Sequence, residues 1–508
     1  MSRVCQTNTN HAKDLATGVG AFALPRFSIL VIYLSLGPFG LSQAQTPTGV
    51  SLPISYYVDS LQGNDTRDGQ TPETAWKTWK NFNGKATPGS SLLLKRGCLF
   101  QLPLPLAGGT PNHPITYGAY GKGAVPILEG SLVNLSTAED WIAVSQGVWR
   151  TKSDQPEAAN LIFNDTICGN MRRSVEDLRN DGEWFQSADG NGSLWVHSAA
   201  NPAQIWPKIE MVRSGIGVTL HGSQASHVRL ENLLFRKIGE QGISISDASD
   251  VVIRNCDLTL IGGEVFRYDD FSRKYGEQFV KRRVRYGNGI ETWETVSDIT
   301  VEGCRIWEIY DAGVDVQGFS GTASNVIIKN NVIWNVGYDC LDIAHGILCK
   351  NVVYDHNTTA NAGCGWALQG EGRPRYSVLY PDTVGFNCNL ESSFGWNDQC
   401  QITITNNIFF NAPGSRCFNF GPEKPSRLIK IDHNCYFQSV ATDEIVRIGK
   451  KKFLTTDFHS YQNFSGWDAN SIFANPQFVN VQGANFSLQK GSPAAGMGSR
   501  ERLLPEQN

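Results

Sequence analysis

Three acidic residues occupy the same position of a short recurring strand: Glu291 in GIETW, Asp315 in GVDVQ and Asp342 in CLDIA. In a strand, alternate side chains point to opposite faces, so Val314 and Val316 take one side and Asp315 and Gln317 the other. The same period places Glu291 with Trp293, and Asp342 with Ala344, on the outward side. If successive copies stack in register, the three carboxyls form one exposed column with a step of about 4.8 Å. Stacked carboxylates repel, so at least one is expected to hold its proton above the usual range unless a cation relieves it. Asp311 and Asp339 precede two of these acids by three or four residues and bring the patch to five.

Two reactions suit such a patch. In glycoside hydrolysis one carboxyl protonates the leaving oxygen and a second activates water or attacks the sugar. Separations of about 5 Å favour retention and about 6.5–9.5 Å inversion. Adjacent column members fit the first and alternate members the second, and neither needs a cofactor. In a lyase acting on a uronic-acid polymer the acids, Asp311 and Asp339 among them, would instead hold Ca²⁺ through hard oxygen ligands. A Lys or Arg would then abstract the proton. The segment before Glu291 carries Arg267, Arg273, Lys274, Lys281, Arg282, Arg283 and Arg285 among aromatic residues. Of these, Arg283 and Arg285 are the candidates for binding an anionic sugar through the guanidinium fork. Trp293 and Gln317 face the same way as the acids and are candidates for stacking on, and hydrogen bonding to, a sugar ring. His345 follows the Asp342 strand as an auxiliary acid or base. A third reading is a non-catalytic carbohydrate-binding protein with a solvated acidic face.

Stacking is what the rest of the chain demands. Seven related blocks begin at LENLLF (Leu230), IRNCDL (Ile253), VEGCRI (Val301), IKNNVI (Ile328), YDHNTT (Tyr354), ITNNIF (Ile404) and IDHNCY (Ile431). Their fourth positions, Leu233, Cys256, Cys304, Asn331, Asn357, Asn407 and Asn434, are 23, 48, 27, 26, 50 and 27 residues apart. Two gaps are roughly doubled, which predicts insertions at about 263–286 and 370–397, with GWALQ as the strand that precedes the second. Short strands repeating about every 25 residues cannot bury an apolar face alone, so the copies must pile coil upon coil. The product is an all-β parallel solenoid, and the Asn column predicts an internal ladder of side-chain bonds. Between 131 and 212, segments such as GVWRT, LIFND and SLWVHS predict antiparallel β decoration.

The openings YYVDSLQGNDTRDGQTPETAWKTW, PGSSLLLKRGCLF and PITYGAYGKGAVPILEGS, and the closing NPQFVNVQGANFSLQKGSPAAGMG, resemble secreted bacterial right-handed β-helix proteins related to pectate lyases and polygalacturonases. The resemblance implies a right-handed parallel β-helix, with N-terminal coils over 54–130 and the main helix over 213–497. It also implies a decoration packed at the helix mouth, where Trp184 or Trp195 would border a cleft. The equivalent strand lacks the paired Asp-Asp of the polygalacturonases, and their R-I-K tripeptide is missing, as is the D-P-H-D of related epimerases. Reaction type is therefore left to the acids themselves.

The apolar run from Phe27 to Ala44 behind Arg26, broken by Gly37 and Pro38, reads as the core of a signal peptide over residues 1–44. That implies a secreted or periplasmic protein with no membrane partner after cleavage. Eleven of the twelve cysteines follow this leader, an odd number without any C-x-x-C pair, and are expected mostly as small core fillers. A net charge of −4 over 508 residues argues against nucleic acid as the partner. The expected partner is a polysaccharide, and the expected state a monomer.

Overall fold

The computed structural model describes residues 53–130, 132–186, 192–265, 285–366, 388–392, 399–421 and 427–500. Residues 1–44, with the apolar run, lie outside them. Each repeat turns because one residue enters the left-handed region just before the block's fourth position. Asn232, Asn255, Asn330, His356, Asn406 and His433 have φ of 53–59°, and Gly303 has 64°. Asn, His and Gly tolerate that conformation better than branched residues do. This is why the blocks read as a polar or glycine residue followed by Cys, Asn or Leu. Five residues later Lys237, Leu260, Glu308, Asn335, Asn361 and Asn411 repeat the bend at φ of 50–55°.

Between the bends the strands pair in parallel with the next coil. A ten-stranded sheet runs from Leu99–Gln101 to Ile472–Phe473. A seventeen-stranded sheet carries the remaining coil faces, and within it the strands Ile243–Arg254 and Ile290–Glu302 are long enough to pass round a corner. Ile243, Ile290, Val314, Leu341 and Leu390 stack one above another through this register. They are fully buried in one continuous core. Each such side chain contributes roughly 1.5–3 kcal/mol on leaving water, an amount no single coil can collect without its neighbours. The architecture is the expected right-handed parallel β-helix.

The Asn ladder is present. Asn331 Nδ2 donates to Asn357 Oδ1 at 3.0 Å, Asn357 to Asn407 at 3.0 Å and Asn407 to Asn434 at 3.1 Å. All four are wholly buried, and Asn434 ends the run by donating to Asp468 at 3.2 Å. Ten of the eleven described cysteines are buried, with Cys256 and Cys304 continuing the Asn column.

From Leu132 to Arg213 the chain leaves the coils for two small sheets, antiparallel in all but one pairing. The first excursion departs at Glu264–Val265 and returns antiparallel at Arg285–Tyr286. The second differs from expectation. The strand that follows Leu341–Ala344 in the ladder is Cys388–Ser392, inside the segment read as insertion, so it takes the ladder position expected of GWALQ, whose residues 367–369 lie outside the described ones. Trp366 instead packs its ring at 4.9 Å from Tyr310. Among the described residues no helix is long and apolar enough to cross a membrane.

Candidate active site

Parallel register makes vertical neighbours of residues far apart in sequence. Ser244 pairs with Glu291, Glu291 with Asp315, Asp315 with Asp342, Asp342 with Glu391 and Glu391 with Asn419. The column thus holds four consecutive carboxyls. Glu391 escaped the sequence reading because GWALQ imitates the strand pattern twenty-odd residues too early. The acids point away from the apolar lumen, but the expectation of exposure fails. Glu291 is 7% exposed, Asp315 2%, Asp342 7% and Glu391 3%. Period-two alternation separates the two faces of a strand and says nothing of what covers the outer one.

Around Glu291 that cover is partly visible. Gln241, Asn288 and Gln317 donate side-chain amide hydrogens to its Oε2 at 2.9, 3.1 and 2.9 Å. Asn288 Nδ2 also donates to Asp315 Oδ2 at 3.0 Å, tying two steps of the column together. Burial outweighs these donors and, with the charge of Asp311, pushes the Glu291 carboxyl up to about 7. Ser244 Oγ lies 3.5 Å from Glu291 Oε1 and 2.8 Å from His221 Nε2, so a histidine that sequence reasoning passed over reaches the end of the column from the neighbouring one, where it is in register with Ser246. Beside it, burial raises Glu240, which accepts from the Tyr286 hydroxyl at 2.7 Å, and lifts Glu264 to about 7.

Two residues along the same strands, Trp293, Gln317 and Ala344 form a second column. Trp293 is partly exposed and stands edge-on to Phe319, centroids 5.6 Å apart, with His345 at 6.1 Å. Phe319 and His345 approach to 4.8 Å. Phe319 was not anticipated; its loop is fixed by Glu294, whose carboxylate accepts the Phe319 and Ser320 amides at 3.3 and 3.1 Å.

Other assignments change. Arg285 is not available to a sugar: it is 4% exposed, donates to the Gly263 and Ala159 carbonyls at 2.7 Å each, and lies over Tyr310, Trp366 and Trp184. Arg283, with the basic run from Arg267 to Arg282, lies outside the described residues. Trp184 is fully buried in the decoration's own core, donating to the Gly169 carbonyl at 3.1 Å, and borders no cleft. Asp311 and Asp339 do not form a pair. Val314 stands opposite Leu341, which sets Asp311 level with Tyr338 and Asp339 level with Ala312. Asp339 gathers instead with Cys388 and Glu391, and burial beside Glu391 and Asp342 holds its carboxyl well above the usual range.

Residues 214–378 match the family model described as a right handed beta helix region. A lacto-N-biosidase of Bifidobacterium longum subsp. longum is 25% identical over 341 residues, 62% of this chain and 20% of that protein. The chain therefore spans a fifth of that relative's length. The uncharacterized protein YwoF of Bacillus subtilis is 22% identical over 460 residues, covering 86% of this chain and 92% of the other. Among solved structures, a XylC complex with xylose aligns over 78% of this chain and 66% of its own at a TM-score of 0.47 and 12% identity.

Proposed function

We propose that this right-handed β-helix chain is a carbohydrate-active enzyme that hydrolyses a glycosidic bond, with Glu291 as general acid and Asp315 as its partner. The observation that carries the reading is one column in which a buried carboxyl, pushed up to about 7, stands a single ladder step from a second carboxyl that shares its amide donor. A step of about 4.8 Å matches the spacing of retaining glycosidases. In that scheme Glu291 gives its proton to the leaving oxygen as Asp315 attacks the anomeric carbon. Glu291 then takes a proton from the water that releases the sugar. Asp342, one step further, stabilises the positive charge that develops on the ring. Trp293, Phe319 and His345 offer an aromatic approach beside the acids, and Gln317 orients Glu291. The match to a lacto-N-biosidase supports a carbohydrate substrate.

The Ca²⁺-dependent lyase is less well supported. It needs hard oxygen ligands and a nearby base, whereas Asp339 sits with a thiol and Arg285 is enclosed. The test is incubation of the chain with a panel of neutral and acidic glycans, reading new reducing ends together with the ultraviolet absorbance of unsaturated products. Reducing ends without that absorbance are expected, and Glu291→Gln should lose about 10²–10⁴-fold in rate. Unsaturated products would replace hydrolysis by elimination. Full activity in both Glu291→Gln and Asp315→Asn would remove the assignment, and inactivity on every glycan that the chain binds would favour the non-catalytic reading.

A further inference from the structure

At its far end the acidic column meets a cluster that the hydrolytic scheme does not use. Asp339, Cys388 and Glu391 each present a ligand atom, and these atoms all lie within 4.8 Å of one another. None of the three residues is more than 3% exposed. The Cys388 amide donates to Asp339 Oδ1 at 2.7 Å, and the Cys388 thiol donates to Glu391 Oε2 at 3.3 Å. Asp339 Oδ2 is buried with no hydrogen-bond partner among the described residues. A buried carboxyl oxygen left over beside a thiol and a second carboxyl is a ligand atom that a cation can take once the proton leaves. Asn419 Nδ2 reaches both Glu391 oxygens, at 3.0 and 2.9 Å, and fixes the plane of that carboxyl as outer-shell groups do around metals. Arg416, the cation in register with Cys388, turns its Nε to Glu444 at 3.2 Å.

We propose that Asp339, Cys388 and Glu391 bind one divalent cation of the zinc type. A thiolate selects borderline-soft ions, whereas Ca²⁺ and Mg²⁺ take hard oxygen ligands. Three protein ligands leave one position of a tetrahedral site to water. Binding sends the proton of the Cys388 thiol, and that of the Asp339 carboxyl, to solvent as the metal–ligand bonds form, so affinity rises with pH. The ion would offset the negative charge at the end of the column and tie the Asp339 corner to the Cys388–Ser392 strand of the next coil.

The chain, stripped with a chelator, is titrated with Zn²⁺ alone and with Co²⁺ alone. One equivalent of either is expected, and the Co²⁺ form should show thiolate-to-cobalt charge-transfer absorption. Cys388→Ser should abolish that band and weaken Zn²⁺ by more than about 100-fold, beyond the loss typical of an outer-shell change. Asp339→Asn should weaken Zn²⁺ while keeping the band, which tests the site even where Cys388→Ser does not fold. Cys400→Ser, at the thiol that accepts the Cys349 amide at 3.1 Å, should alter neither. No bound metal, a band that survives Cys388→Ser, or Ca²⁺ binding as tight as Zn²⁺ would each overturn the site. Glycan cleavage is not read, so this failure and failure of the hydrolase reading are separable.

Discussion

At Glu291 two influences oppose each other, since burial favours the neutral acid while three amide donors favour the anion. Burial wins, and the carboxyl titrates at about 7. A general acid must be protonated to act, so kcat/KM is expected to fall as pH rises through about 7. Gln317→Ala removes one donor to the charged form, raises the acid further and should move that descending limb to higher pH. A limb that stays in place, or moves down, would exclude Glu291 as the titrating group. Stability follows the same proton. The folded carboxyl titrates above its ordinary value of 4.5, so its contribution is fully present below about 4.5 and is lost as pH rises through about 7. A shift of this size corresponds to roughly 3 kcal/mol. Glu291→Gln should reduce the dependence of Tm on pH between those limits, leaving the part that Glu264, also lifted to about 7, contributes. The column itself was legible in the sequence because alternation and repeat length are local properties. Its burial was not, because Gln241 and Asn288 reach Glu291 from a turn that no strand pattern describes.

At the level of the element, the coils are held in register by side chains that no apolar pattern requires. Asn357 Oδ1 accepts from both the backbone amide and the side chain of Asn331, at 3.1 and 3.0 Å, and its Nδ2 donates to the Ile328 carbonyl at 2.8 Å. Removing it strands several buried groups, each costing about 1–3 kcal/mol. Asn357→Ala should therefore lower Tm far more than Asn351→Ala, whose exposed Nδ2 makes one bond to Asn325 at 3.0 Å. Equal Tm values for the two would mean that stacking alone sets the register. This ladder could be read from spacing because its residues recur every 26 or 27 positions wherever no loop intervenes. The Cys388–Ser392 strand could not. Once the excursion after Ala360 lengthens the coil, period-two alternation fits GWALQ and CNLES equally well, and only the parallel pairing with Leu341 and Asp342 separates them. Glu391, and with it the metal cluster, was hidden by that ambiguity.

Across the whole molecule, the antiparallel decoration and the coils meet in a junction built around a cation. Ile162, Cys168 and Val212 of the decoration pack with Leu260, Tyr310 and Trp366 of the coils. Arg285 runs through this contact, bonded to the Ala159 carbonyl on one side and the Gly263 carbonyl on the other. A second buried cation, Lys237 at 0% exposure, reaches Glu210 and Asp165 of the decoration from its own coil. Arg285→Ala would leave two buried carbonyls without their donor and open a cavity among three aromatic rings. The cost is about 3 kcal/mol or more. A solenoid transmits such damage mainly to adjacent coils, since each repeat contacts only its neighbours. Hydrogen exchange should therefore accelerate in Ala158–Phe163 and in Arg285–Tyr286, while Ile429–Asp432 and Cys435–Phe437, several coils away, keep their protection. Exchange that rises equally along the chain would instead make the molecule one cooperative unit, and unchanged exchange at Ala158–Phe163 would show that Lys237 and the apolar contact hold the junction without Arg285.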